Sequence, residues 1–347
     1  MGLTTACEVL GIPRGSFYRQ KERLENPQKD RSKPWPTPDR ALTQQERIQV
    51  RDVLNGERFQ DASPRQVWAR LLDEGIYLCS WRSMYRILEA YREVRERRDQ
   101  LRHPVYAKPD LPVLRQTGLL AEAPNQLWSW DITKLRGPFK GIYYYLYVIL
   151  DVFSRYGVGW MVAGQESKAL AYELIEETCK KEGVCREQLV LHADRGPAMK
   201  AKSVALLLSD LGVGKSHSRP HACLCVSARR QVPDDNPYSE AQFKTMKYRP
   251  DYPDRFGCLE DARSWTRDFF GWYHHEHCHT GLGLMTPAAV HYGQAGEIRN
   301  ERQRILEVAY AAHPERFVRG KPVPPRLPTA VWINPPKTEI SDQVVLH

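Results

Sequence analysis

The sequence predicts an α/β protein: a mixed five-stranded sheet with flanking helices, preceded by an all-α unit. Three observations carry this. Residues 126–133, 143–152 and 158–163 are rich in Val, Ile, Tyr and Trp and are separated by Gly or Pro turns, which predicts three consecutive antiparallel strands. Beyond residue 169, helical and strand patterns alternate. Before residue 100, capping signatures mark three short helices between two Pro-rich, charged stretches, 29–40 and 102–112, whose composition neither propagates a helix nor packs a core.

The helical unit is built from its punctuation. Thr43 and Glu46 form a capping box, each side chain serving the other's backbone N–H, and Gly56 is expected to close that helix in a left-handed turn. Ser63-Pro64 opens a second helix that stops near Gly75. Ser80 caps a third, with Met84, Ile87 and Leu88 as its inward stripe and Arg82 and Arg86 facing out. A tight Gly-containing turn before the last of three helices fits a helix-turn-helix, whose third helix enters the DNA major groove. Here it is expected to run on into Arg92, Arg95, Arg97 and Arg98, at the groove edge. Residues 7–19 read as the end of another helix-turn-helix.

In the second half, residues 169–181 read as a helix, 189–192 as a strand, 202–211 as a helix and 214–218 as a short strand. A further helix carries Glu240; Asn236 is its expected N-cap and Pro237 its first residue. Three hairpin strands followed by alternating helix and strand give the order of a ribonuclease-H-like fold. The expected organisation is a partial helix-turn-helix at 1–28, a linker at 29–40, a helix-turn-helix at 41–100 and a linker at 101–120. A core at 121–292 and a C-terminal helix with a Pro-rich tail at 293–347 follow.

Composition narrows the partners. The 347 residues carry a net charge of +9 with an ordinary apolar fraction of 41%. Residues 195–250 hold ten basic and four acidic side chains, so most of the excess sits on one stretch. A polyanion is the natural partner of such a surface. Eight scattered cysteines without framework spacing read as reduced thiols, and the longest apolar run, 141–153, is too short to span a bilayer. A soluble, intracellular protein is the expectation.

Three carboxylates carry the chemistry. Asp131 ends the apolar run Leu127-Trp128-Ser129-Trp130, Asp194 ends Leu189-Val190-Leu191-His192-Ala193, and Glu240 lies on the polar helix. In the predicted sheet the first and fourth strands are neighbours, so Asp131 and Asp194 share a cleft that Glu240 reaches from its helix. Two strand-end acids joined by a third can hold a pair of divalent cations, the equipment for phosphodiester cleavage. Glu240, Lys244 and Lys247, at i, i+4 and i+7, share a helix face, which also suits a surface ion-pair row. Asp151 reads as a structural hydrogen-bonding acid beside Ser154-Arg155, and His274, His275, His277 and His279 are poorly spaced for zinc.

Together, Trp130-Asp131-Ile132-Thr133, the segment 150–155, His192-Ala193-Asp194-Arg195-Gly196, the segment 235–241, the run 273–283 with Thr286-Pro287, and the segments 314–317 and 331–336 resemble the integrase core and tail of bacterial insertion-sequence transposases of the IS-three type. The match is to the second-frame product. The resemblance implies Asp131, Asp194 and Glu240 as the DDE ligands of Mg²⁺ (or Mn²⁺), two ions per site, with Lys247 as the basic residue seven places on. It implies DNA contacts by Lys244 and Arg195 as well as Arg82 and Arg86, a homo-oligomer, and a first-frame partner or fusion. The implied activity is cleavage and strand transfer at element ends in a bacterial, nucleoid-associated setting.

One departure stands out. Forty-five residues lie between Asp194 and Glu240. The family keeps a run about ten residues shorter, and the excess falls at 221–233, an insertion whose closure entropy is small. The expectation is a bulged loop with the triad assembled; the alternative is an inactive DNA-binding remnant serving assembly or repression.

Overall fold

Capping chemistry sets the amino-terminal helices. α1 (Arg14–Glu25) follows a left-handed Gly11, and α2 (Gln44–Asn55) begins at the expected reciprocal Thr43–Glu46 box. α3 (Pro64–Asp73) starts from Ser63 and ends with Gly75 at φ +80°, where the Ile76 amide reaches back to the Leu71 carbonyl at 2.8 Å. α4 (Trp81–Ala90) is capped by Ser80 and buries Met84, Ile87 and Leu88, leaving Arg82 and Arg86 exposed together. Two expectations fail here. Gly56 is extended at φ −63°, because its carbonyl opens a turn to the Phe59 and Gln60 amides instead. α4 does not run on into Arg92: that residue turns left-handed at φ +60°, and Glu93, next along, is held by Arg51 and Asn55. Arg95, Arg97 and Arg98 lie outside the described residues. The computed structural model describes residues 11–25, 38–94, 118–184, 187–193, 202–217 and 236–334, with the single residues 3, 7 and 9.

β1 (Leu119–Ala121) leads into the sheet. β2 (Leu127–Arg136), β3 (Tyr143–Asp151) and β4 (Gly157–Ala163) form the antiparallel ladder that the sequence predicts. After α5 (Lys168–Lys181), β5 (Val190–Ala193) returns parallel to β2, and β6 (Gly214–His217) follows α6 (Lys202–Asp210) beside β5. The order β4-β3-β2-β5-β6, antiparallel on one side and parallel on the other, is ribonuclease-H-like. Period-two alternation divides the sheet between two cores. Trp128, Trp130, Tyr147 and Ile149 pack under α5 and α6, whereas Leu135, Leu146, Val148 and Leu150 pack under α7 (Pro237–Lys247) and α8 (Leu259–His275).

The open edge of β4 is blunted by side chains, which suppresses strand addition. Lys181 donates to the Val158 carbonyl at 3.2 Å, Arg263 to Val162 at 3.1 Å, and the Gly157 amide donates to Nε2 of His274 at 3.0 Å. His274 stacks on Tyr156 with ring centroids 3.9 Å apart, and burial holds it down to about 3. Asp151 has the expected structural role, accepting from the Asn125 amide at 2.8 Å and from the amide and hydroxyl of Ser154. Two more of these histidines are locally employed: His277 accepts from Gln66, and His279 accepts from the Gly281 amide at 3.1 Å.

After α9 (Pro287–His291), α10 (Ala295–Ala312) returns to the amino-terminal helices. Cys278, Leu284 and Leu306 complete the core of α2–α4. Arg302, 1% exposed, makes a bidentate pair with Asp73 at 2.6 and 2.7 Å and donates to the Leu284 carbonyl. β7 (Val331–Ile333), which the Pro-rich composition hides, pairs with β1 and ties the tail to the front of the sheet. Among the described residues, no helix is long and apolar enough to cross a membrane.

Two stability tests follow from this packing. Asp73→Asn strands a buried guanidinium and is expected to lose about 3 kcal/mol in urea unfolding, whereas Arg302→Met, which removes the buried charge, loses less. His274 is neutral when folded and takes a proton on unfolding below its ordinary value of 6.5, so its neutral form favours the fold above that pH and the benefit fades on acidification. Stability relative to His274→Gln is expected to fall by roughly 2 kcal/mol between neutrality and about pH 5, read by urea melts across pH.

Candidate active site

The site grows from the polar face of β2. Ser129, Asp131 and Thr133 alternate onto the side covered by α7, which they share with the apolar Leu135, while Trp128 and Trp130 face the other core. Asp131 is not at a strand end, as the sequence suggests. It lies mid-strand because β3 pairs with β2 through Arg136, and among the described residues β5 pairs with β2 from Leu127 to Trp130, with Ala193 opposite Trp130. Asp131 Oδ1 accepts from the Ile132 amide at 2.7 Å, fixing one carboxylate oxygen.

Helix α7 is fastened to this face at both ends. Asn236 precedes the helix as expected, but its side chain does not cap it. It turns into the sheet, donating to the Trp130 carbonyl at 3.2 Å and accepting from the Ser129 hydroxyl. That hydroxyl also meets Ser239 Oγ at 2.5 Å, and all three polar side chains are buried. At the other end Lys247 donates to Thr133 Oγ1 at 2.5 Å. The two attachments lie at residues 129 and 133, so they bracket Asp131.

This register places Glu240. It lies one turn beyond Asn236, about 6 Å along the helix axis. Asp131 lies two residues beyond Ser129, about 6.6 Å along the strand. Glu240 is thus level with Asp131 on the helix stripe that faces β2. Met246 and Phe243 bury the neighbouring stripe in the core, which fixes the helix rotation. Burial lowers the Lys247 ammonium below its usual range while the nearby Asp131 charge raises it, so a cation and a carboxylate face each other here.

Lys244 is exposed on the same helix, away from the sheet contacts. Asp194 and Arg195 lie outside the described residues, as does the 221–233 insertion; the last described residue before them is Ala193, opposite Trp130. Sequence reasoning missed Ser129, Ser239 and Thr133. Their signal is the period-two alternation of small polar residues about Asp131 within an otherwise apolar strand, read against the polar spacing of α7. Chemically, Asp131 and Glu240 offer only carboxylate oxygens, the donor type that suits a hard divalent cation.

Comparison with known proteins finds similar sequences and folds. Two family models, each described as an integrase core domain, match residues 121–223 and 217–287. A transposase for insertion sequence element IS904 from Lactococcus lactis is 29% identical over 171 residues, 48% of this chain and 61% of that protein. The chain thus spans about three-fifths of that relative. A transposase for IS629 from Shigella sonnei is 26% identical over 64% of this chain and 74% of its own length, and the InsF transposase of IS3A from Escherichia coli is 32% identical over 26% and 32%. Among solved structures, the simian T-cell lymphotropic virus intasome with PP2A regulatory subunit B56 gamma matches 65% of this chain and 70% of its own at 19% identity and TM-score 0.38. The HTLV-2 integrase catalytic core domain with magnesium matches 49% and 97% at 15% identity and TM-score 0.33. The chain carries an integrase core domain and is related to the transposases of bacterial insertion sequences, that of IS3 among them.

Proposed function

We propose that the chain is a DDE transposase, a polynucleotidyl transferase that binds the ends of an insertion sequence and cuts and rejoins DNA. The observation that carries this reading is the double attachment of α7 along β2, which sets Glu240 level with Asp131. Asp194 follows Ala193 by one peptide bond, and Ala193 pairs with Trp130 beside Asp131, which supports the third carboxylate's membership. Asp131, Asp194 and Glu240 would hold Mg²⁺ or Mn²⁺, two ions per site, and those ions would activate the attacking oxygen and stabilise the leaving one.

The chain's own residues supply position and charge. The Ser129–Asn236–Ser239 contacts fix the helix that bears Glu240, and Lys247 sets a positive charge beside Asp131 where a phosphate oxygen would lie. Water or a DNA 3′-hydroxyl forms the new bond to phosphorus, the bond to the bridging 3′ oxygen breaks, and no protein nucleophile is consumed. Arg82 and Arg86 on α4 are suited to the major groove, and Lys244, Lys247 and Arg195 to strands near the carboxylates. The proposal includes a homo-oligomer, a first-frame partner or fusion, and a nucleoid-associated place of work.

The 45-residue spacing between Asp194 and Glu240 favours a second reading, an inactive DNA-binding remnant. Nicking of a terminal-repeat duplex separates the two. Asp131→Asn is expected to lower Mg²⁺-dependent nicking on the order of a thousandfold with DNA binding unchanged. A wild-type protein that binds but never nicks, and gains activity when residues 222–232 are deleted, sinks the active reading. Asn236→Ala is expected to cost about 1–3 kcal/mol of stability. At permissive temperature it should also lower nicking on the order of ten- to a hundredfold, because Glu240 loses its register.

A further inference from the structure

The β2–β3 hairpin extends beyond the helices as a surface for which the carboxylate site has no use. Residues 132–150 contain Lys134, Arg136 and Lys140 and no acidic residue. The ladder sets Lys134 opposite Tyr145 and Arg136 opposite Tyr143, and Lys134 shares its face with both rings. The Lys134 ammonium lies 5.7 and 5.8 Å from the Tyr143 and Tyr145 ring centroids. Three large apolar side chains at the tip face solvent: Phe139 is 70% exposed, Ile142 43% and Tyr143 42%.

The hairpin is braced from behind. The Phe256 amide donates to the Arg136 carbonyl at 2.9 Å and Arg255 to the Gly137 carbonyl at 3.1 Å, while Asp254 pairs with Arg136 at 2.7 Å. A rigid tip with outward rings and cations is poorly explained as packing, because Phe139 buries little of its ring. Exposed rings interleaved with basic side chains are the surface that unpaired nucleic acid recognises: bases stack on the rings and phosphates meet the cations. Lys134 stands three residues from Asp131 on the same strand, about 10 Å along it.

We propose that the β2–β3 hairpin tip is a docking surface for an unpaired DNA strand, the flank adjoining the phosphodiester under attack, with bases stacked on Phe139 and Tyr143 and phosphates held by Lys134, Arg136 and Lys140. This rests on the reading that DNA is the partner. It makes the hairpin a second DNA contact, apart from α4 and from the carboxylates. It is specific for unpaired bases, since a closed duplex hides the faces that stack.

The test uses the full chain and a fluorescent single-stranded oligonucleotide, titrated beside a terminal-repeat duplex at moderate salt. The Phe139→Ala/Tyr143→Leu variant is expected to bind the single strand at least tenfold more weakly, with duplex affinity within twofold of the parent. Tyr143→Phe, which keeps the ring, is expected to bind as the parent does. In addition, 5-iodouracil in the oligonucleotide is expected to cross-link to a peptide spanning residues 137–145. Single-strand affinity unchanged in the double variant, equal losses for Tyr143→Phe and Tyr143→Leu, or a change in oligomeric state with single-strand binding intact would each overturn the proposal; the last would assign the tip to a second copy of this chain. Nicking is scored separately, so a chain that stacks single strands yet never cleaves refutes the transferase reading and leaves this one standing.

Discussion

The geometry of the candidate site depends on how one helix lies on one strand. β2 supplies Ser129, Asp131 and Thr133 on a single face, and α7 grips the first and third of these, leaving the middle one flanked. Neither attachment is apolar. The reason is positional: an apolar stripe alone, such as Phe243 and Met246, sets which side of a helix is buried but tolerates a slide along its axis. Buried hydrogen bonds do not tolerate it, because a shift of one residue leaves Asn236 and Ser129 desolvated and unpaired. The polar contacts therefore act as a register, converting a generic helix–sheet packing into a fixed separation between two carboxylates.

The same logic operates at larger scale between the amino-terminal helices and the sheet. Arg302 is buried among α3, α10 and the Leu284 carbonyl, and Gln66 and Arg70 on α3 reach the turn after α8 through His277, Glu276 and the Cys278 carbonyl. With Leu284 and Leu306 completing the α2–α4 core, these helices share their interior with the segment that follows the sheet. The exposed pair Arg82 and Arg86 is thereby held on the same framework as Asp131.

Much of this was legible from residue pattern. Short-range chemistry carried the amino-terminal helix starts, the Gly75 stop, the three hairpin strands and the start of α7 at Pro237, since capping and strand alternation are local. What the pattern could not carry was the use of side chains across the fold. Asn236 looks like a helix cap, yet a partner 107 residues away in Ser129 takes its side chain. Asp131 looks like a strand terminus because the apolar run ends there, but β3 extends the strand to Arg136. Gly56 is extended and Arg92 left-handed, the reverse of the glycine preference for left-handed turns, because the Phe59 turn engages the Gly56 carbonyl and tertiary contacts hold Glu93. β7 is hidden by its proline-rich setting, and its partner β1 falls in what reads as linker. Asp194 is the one candidate ligand beyond the described residues, so the sequence speaks for it alone.

Strand β2 also explains why chemistry and docking need not compete. Successive side chains point to opposite faces, so Asp131 and Thr133 serve the α7 side while Lys134 belongs to the other. Along the strand the character changes from buried polar to exposed basic, as the sheet outruns its covering helices. A single strand of DNA whose phosphate lies at the carboxylates would leave the protein over this hairpin. Bases leaving a duplex lose their stacking, and exposed rings that accept their faces reduce that penalty. On β2 the polar residues that flank Asp131 are thus followed along the chain by the basic ones of the proposed docking surface.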